Sequence, residues 1–315
     1  MRTAVALTSL RLLVPPLSPT TYKGQAGKIG CVGGSFEYTG APFYAALSAL
    51  KLGADLSHVF CDEQAAVPIK AYSPELIVHG CLRSGSTDVE AQADAITKWF
   101  PALSGLVVGP GLGRDEALQA VAALVIQRAV SASLPCVIDA DGLRIVLENP
   151  SLVAGAKWVI LTPNKPEYGR LVAALGPDGA SDTADEDATF AAIARRLAGP
   201  TVVRKGPTDL ISDGQAEAIF ECAERGCLKR CGGQGDVLAG SIATFASWAK
   251  AAEKAGRLPG GGPSAPLLAS NAGCLLTRRF ARAAFLKHKR SMTAPDLIDA
   301  IADTFEEFCP AMEID

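Results

Sequence analysis

The chain has 315 residues, 49% of them hydrophobic and 20% charged, with a net charge of −3. That is enough apolar material for a sizeable core, and the charge balance lacks the signature of a nucleic-acid or membrane surface. No run reaches the roughly 18 apolar residues that a membrane span needs.

Nine cysteines, an odd number scattered through apolar runs, are expected as free thiols in a reducing compartment, the cytoplasm. The opening MRTAVALTSLRLLVPPLSP has two arginines and a modest apolar stretch without a small-residue cleavage site. Residues 1–14 are therefore set apart as a flexible or targeting extension, which keeps a mitochondrial address open. The histidines, at 58, 79 and 288, sit in no motif and read as core or surface residues.

GKIGCVGGS, residues 27–35, reads as a short buried strand ending in a glycine turn. A helix is expected over 41–54, stopped by Gly53. LSHVFC and PELIVHG follow as strands, then a helix in DVEAQADAITKWF and a strand in GLVVGP, residues 105–110. DEALQAVAALVIQRAV is helical, PCVIDADGL a strand with carboxylates at its end, and KWVILTPN, 157–164, a strand running into a proline turn. DATFAAIARRLAG is a helix, PTVVRKG a strand, and TDLISDG with QAEAIFEC a hairpin. Helices are expected over 237–252 and 266–287, and a last one from Pro295 to about Phe308. The acidic stretch 176–187 and the glycine-rich stretch 254–266 read as surface connections. Apolar strands alternating with helices predict a mostly parallel sheet with helices on both faces, in one domain over 1–315.

In open parallel sheets, ligands bind beyond the carboxyl ends of the strands. The polar and glycine-rich turns fall at such ends: GGS, GPGLGRD, DADGL, TPNKPE, RKGPTD and GGQGD. No glycine stands in the register of a phosphate-binding G-x4-G-K-[S/T] loop. GCVGGSFEYTG lacks the dinucleotide spacing and GPGLGRD lacks its helical third glycine, so a nicotinamide oxidoreductase is poorly supported.

GGQGD is the most informative turn. Successive amides at a helix start form an anion-binding concavity, and glycines let a phosphate approach closely. Asp236 at that start either caps the helix or acts as a general base on a hydroxyl attacking the bound phosphoryl group. Lys205, at a strand end, either offers charge to a phosphate or is an exposed base. Asn164 and Glu167, three apart, are candidates to hold a hydrated Mg²⁺, which prefers oxygen ligands and keeps several waters.

GGQGD before a helix, N-x-x-E and K-G-x-x-D resemble ribokinase-like small-molecule kinases without a lid domain. PPLSPTTYKGQAGKIGCVGGSFEYTGAP, ALKLGADLSHVF, SPELIVHG, VVGPGLGRD, VIDADGL, LTPNKPEYGRL and KRCGGQGDVLAGS are similar to the ATP-dependent NAD(P)H-hydrate dehydratases in their eukaryotic form. The matching segments run from about residue 15 to 242 and take in nearly every turn of the rim. The resemblance implies a three-layer α/β/α fold and a lyase that uses ATP and Mg²⁺ to dehydrate the S form of hydrated NADH or NADPH. It implies hydrated-dinucleotide contacts at Gly111 and Gly113, at Asn164, Lys165, Pro166, Glu167, Tyr168, Gly169 and Arg170, and at the catalytic Asp236. It implies ATP contacts at Lys205, Gly206, Pro207, Thr208 and Asp209. Further ATP contacts fall on Gly226, Cys227, Leu228, Lys229 and Arg230, and on Cys231, Gly232, Gly233, Gln234 and Gly235. Magnesium would meet Glu167 through water. The partners expected are therefore the hydrated dinucleotide and ATP, with no nucleic acid and no membrane, and self-association is left open. Pro166 departs from the family pattern, where a variable residue is expected. RCGGQGD in place of a bacterial G-T-G-D carries the expectation of ATP as the donor. A vitamin or sugar kinase sharing Asp236 and the anion loop is the rival reading, and a non-catalytic nucleotide-binding module a second.

Overall fold

The structure is a computed structural model, and it describes residues 2–175, 186–215 and 218–310. Its centre is a ten-stranded sheet in the order β1-β10-β9-β8-β7-β6-β5-β2-β3-β4. The inner strands are β2 (Lys28–Val32), β3 (Leu56–Asp62), β5 (Gly105–Val108), β6 (Cys136–Ile138), β7 (Val159–Leu161) and β8 (Thr201–Arg204). They pair in parallel and are buried almost throughout. Continuous apolar runs suit this, because both faces of a parallel sheet are covered. β9 (Asp209–Ser212) and β10 (Ile219–Cys222) form the expected hairpin, antiparallel to each other, with β9 also antiparallel to β8. β4 (Ile77–Leu82) closes the opposite edge. GPD and its neighbours up to 185 lie outside the described residues; of that acidic stretch only Glu186 and Asp187 are described, opening a helix.

One face is covered by α2 (Gly40–Leu52), α9 (Gln234–Lys254), α10 (Ala265–His288), α11 (Ala294–Asp299) and α12 (Ile301–Phe308). The other is covered by α4 (Val89–Thr97), α5 (Glu116–Ser131), α6 (Asp141–Glu148) and α8 (Glu186–Leu197). α9 is buried nearly all round, from Val237 to Ala249. A Cβ on its Gly240 would stand 2.1 Å from the carbonyl oxygen of Ala45 in α2, so only glycine allows the two helices to approach this closely. That contact fixes where the start of α9 lies relative to the sheet.

Several elements escaped the sequence patterns. α3 (Glu63–Tyr72), α6 and α7 (Lys165–Leu175) directly follow strands, where polar caps read as turns. Pro166 lies in the first turn of α7, a position where a fixed φ and a missing N–H cost nothing. The last helix is two, α11 and α12, meeting at Ala300. Residues 2–14, set apart above as an extension, lie against the body of the fold. β1 (Arg2–Ala4) pairs in parallel with β10, and Leu10 of α1 (Leu7–Arg11) and Leu13 are fully buried. Among the described residues, no helix is long and apolar enough to cross a membrane.

Candidate functional site

The rim turns collect at the carboxyl ends of the parallel strands, with the start of α9 among them. Gly233 precedes α9 at φ 92°, and a Cβ there would meet Ala294 at 2.4 Å and the Tyr44 ring at 2.9 Å. This left-handed turn needs glycine, and it delivers the chain into a helix whose first amides have no partner within the helix. Asp236 sits in that first turn. Burial and the nearby Asp139 carboxylate push its pKa up to about 7, against partial relief from Lys205 and its own amide. A carboxylate so placed is poised near neutrality, the range in which a general base works best.

Lys205, just beyond β8, donates from Nζ to Asp139 Oδ1 at 2.7 Å, with side chains 19% and 3% exposed. Burial alone would lower the lysine pKa, but Asp139, Glu167 and Asp236 outweigh it and hold the ammonium above its usual value. A Cβ on Gly235 would lie 3.5 Å from Asp139 Oδ2 and 3.7 Å from Lys205 Nζ, so the ion pair packs against the residue preceding Asp236. The Lys205 amide bonds to the Pro163 carbonyl at 2.9 Å, joining two turns of the rim.

Asn164 and Glu167 are spent first on structure. The Asn164 amide donates to Glu167 Oε2 at 2.8 Å, and the Glu167 amide to Asn164 Oδ1 at 3.1 Å. This reciprocal cap opens α7. Burial raises the Glu167 pKa, with the Asn164 amide and Lys205 opposing. Lys165, Pro166, Gly169 and Arg170 are exposed around it, whereas Tyr168 is 8% exposed. The Tyr168 ring packs 6.0 Å from Phe190, and the Arg204 guanidinium lies over it at 5.5 Å. Tyr168, expected at the substrate, is thus a core residue: on α7 it falls on the apolar stripe opposite the exposed rim.

The GPGLG loop is tied down by its neighbours. The Gly113 amide donates to Asp141 Oδ2 at 2.9 Å, and the Ser35 hydroxyl to the Gly111 carbonyl at 3.0 Å. Gly111 and Gly113 both have positive φ, 63° and 78°. A Cβ on Gly111 would stand 2.5 Å from the Tyr38 carbonyl oxygen.

A cleft of ≈ 1160 Å³ opens between the KGPTD turn, the loop before α9 and one face of α10. It is lined by Lys205, Gly206, Pro207 and Asp209 from the turn, and by Gly226, Cys227, Leu228, Arg230, Cys231, Gln234 and Gly235 from the loop. Four expected contacts do not line it: Thr208, Lys229, Gly232 and Gly233. Lys229 is turned outward to the Arg290 carbonyl, and Gly233 is packed on Tyr44 and Ala294. Sequence reasoning missed the α10 wall, Cys274, Thr277, Arg278, Ala281, Arg282 and Phe285. Their spacing of three and four marks one helix face, but no motif in the stretch sets that face apart from the rest of the helix expected over 266–287. Arg278 is the central member. It donates to Asp209 Oδ2 at 2.7 Å and to the carbonyls of Gly206 and Pro207 at 2.8 Å each. Asp209 Oδ1 in turn accepts the Gly206 amide at 3.0 Å.

A mostly parallel sheet covered on both faces, with a cleft large enough for a nucleotide beside a lysine and a carboxylate at one helix start, is the architecture of a ribokinase-like fold. It is similar to a ribokinase-like superfamily protein from Enterococcus faecalis, with a TM-score of 0.73 at 20% identity over 98% of this chain and 96% of that one. The sequence profile described as NAD(P)H-hydrate dehydratase matches residues 29–303. The chain is 46% identical over 306 residues to the ATP-dependent (S)-NAD(P)H-hydrate dehydratase of Bos taurus, covering 97% of this chain and 89% of that protein. A Bacillus subtilis ADP/ATP-dependent NAD(P)H-hydrate dehydratase, co-crystallised with ATP and Mg²⁺, shares the fold with a TM-score of 0.68 at 20% identity, over 96% and 97% of the two chains. This chain belongs to the NAD(P)H-hydrate dehydratase family.

Proposed function

We propose that this protein uses ATP to dehydrate the S form of hydrated NADH and NADPH, restoring the dinucleotide. The observation that carries the reading is Asp236. It is a carboxylate raised to about 7 by burial and the Asp139 charge, in the first turn of α9 directly after Gly235, which lines the cleft. Family membership supplies the substrate class.

In this reading ATP occupies the cleft and the hydrated nicotinamide lies against Gly111, Gly113 and the exposed start of α7. Asp236 accepts the proton of the ring hydroxyl, whose oxygen attacks the γ-phosphoryl group as ADP departs. Lys205 and the amides of Gln234 and Gly235 offset the charge that develops on the phosphoryl oxygens. The ring nitrogen's electron pair then expels phosphate from the ring carbon, where hydroxide could not leave, and forms a C=N bond. The adjacent ring carbon loses a proton to the departing phosphate, which restores the C=C double bond and the neutral nitrogen. The sum is hydrated NADH plus ATP giving NADH, ADP and phosphate, with the Asp236 proton returned to solvent.

The residues present fit Mg²⁺ held chiefly by phosphate oxygens and water. Glu167 offers one oxygen donor at the mouth of α7, and no group of three His, Cys, Asp or Glu side chains able to cage a metal occurs among the described residues. Bound there, the ion would neutralise phosphate charge.

The assay is hydrated NADH with ATP and Mg²⁺, followed by the near-ultraviolet absorbance of the restored dihydronicotinamide and by released phosphate. Recovery of both supports the reading. A stable phosphoester with no recovered absorbance would replace it with a small-molecule kinase.

A further inference from the structure

Asp139 is the deepest carboxylate at the site, 2% exposed, and the reaction described above gives it no step of its own. It stands just beyond β6 on a backbone built to hold it. Its amide bonds to the Val108 carbonyl at 3.1 Å, and its carbonyl accepts the Gly142 amide at 3.0 Å. The next residue, Ala140, takes φ 50° and ψ −123°, a conformation that L residues rarely adopt. Strain of this kind persists where the surroundings over-determine it, and it clusters at functional sites. Here it separates two carboxylates: Asp141 turns to the Gly113 amide, and Asp139 to Lys205. A Cβ on Gly109 would lie 1.9 Å from the Asp139 carbonyl oxygen, so the neighbouring strand end is a glycine to admit this turn.

We propose that Asp139 is a positioning residue for the reaction: it pins the Lys205 ammonium beneath Gly235, facing the phosphates, and presents a second negative charge to Asp236. The inference rests on the function proposed above. Its physical basis is the spacing already given: both members of the ion pair lie within 3.7 Å of where a Cβ on Gly235 would stand.

Asp236 faces Asp139 from the end of β6, Lys205 from the end of β8 and the Cys31 thiol from β2. Lys205 faces Asp139, Glu167 and Asp236. The Asp139 and Lys205 charges act on Asp236 with opposite sign. Without Asp139, the base loses a repelling charge and gains a less committed ammonium, and both changes make it more acidic. Without Lys205, the two carboxylates repel without relief, and Asp236 becomes less acidic. Asp139 thus keeps Lys205 for the phosphate and keeps Asp236 basic enough to take a proton near neutral pH.

The test reads the Asp236 carboxyl directly, by ¹³C NMR titration of the intact chain, with Asp236→Asn assigning the resonance. Asp139→Asn is expected to lower the Asp236 midpoint by about one pH unit or more, a tenfold change in proton affinity. Lys205→Met is expected to raise it. Asp139→Glu, which restores the charge, is expected to recover most of the midpoint. In the dehydration assay, Asp139→Asn should move the acidic limb of kcat/KM by the same amount and raise KM for ATP about tenfold. A merely structural role would lower the folded fraction without moving either limb or midpoint. An unmoved midpoint in both Asp139→Asn and Lys205→Met overturns the proposal whatever the reaction proves to be. A moved midpoint in a wild-type chain that leaves hydrated NADH untouched overturns the function instead.

Discussion

Arg278 Nε lies 2.7 Å from Asp209 Oδ2, across 69 residues of sequence, and joins the middle of α10 to the turn that begins β9. The guanidinium also holds the carbonyls of Gly206 and Pro207, so one side chain shapes the whole KGPTD turn. With exposures of 15% and 8%, removing one partner leaves a buried charge unpaired. Arg278→Ala is expected to lose about 3–5 kcal/mol of stability, and KM for ATP should rise more than kcat falls. Arg278→Lys, which lacks the fork, should recover little. Thermal melts beside ATP titrations check both.

Asp236→Asn is expected to lower kcat about 10²- to 10⁴-fold while ATP binding, read by calorimetry, is retained. Near-normal turnover would remove Asp236 as the base. Its raised pKa also has a sign for stability. The folded state prefers the protonated acid, so this contribution is full below the ordinary carboxylate range and is lost as pH rises through about 7. Asp236→Asn should therefore melt higher than the wild type at pH above 7, and the gain should vanish toward pH 4. A variant no more stable at high pH would show that the carboxylate is not held against its ionisation.

The two glycines flanking Gln234 should respond differently. Gly233→Ala forces a Cβ into Ala294 and Tyr44 at a positive φ, and about 1–3 kcal/mol of stability should be lost. Gly235→Ala meets only van der Waals contacts at 3.5 Å and beyond, so its melting temperature should hold. ATP affinity should fall instead, because the new methyl stands beside Lys205 Nζ. Melting and ATP-binding measurements on the pair separate folding from phosphate approach.

Asn164→Ala is expected to cost about 1 kcal/mol through loss of the α7 cap. Glu167→Gln should keep much of that cap, since its amide oxygen still accepts the Asn164 N–H. If Glu167 also faces the magnesium waters, the Gln variant alone should need more Mg²⁺ for half-maximal rate. Equal Mg²⁺ dependence in wild type and variant would confine Glu167 to the cap.

Leu10→Ala should destabilise by about 2–5 kcal/mol, because the side chain is fully buried under α10. Denaturant melts showing no loss would return residues 1–14 to the status of an appendage.

The periodic elements were legible in the sequence. β2, β3, β5 and β8 are apolar runs, and α5 and α9 repeat with helical spacing, so local pattern was sufficient. GGQGD was legible because glycines before an acid and an apolar helix have few other uses. Tyr168 falls on the buried side of α7 because a motif names a segment, while the helical period decides which of its residues face inward. α6 and α7 were hidden because their caps use the same residue types as turns.

The sequence by itself determined the alternation of strand and helix, the rim of turns and the identity of the candidate base. Tertiary structure alone decided what surrounds that base. Lys205 meets Asp139 across 66 residues, Arg278 meets Asp209 across 69, and Gly240 lets α9 lie against Ala45. Such pairings leave no local periodicity, because they depend on where separate elements end after the core has packed. The charge state of Asp236 follows from the same packing, since burial and neighbouring charge exist only in the folded chain.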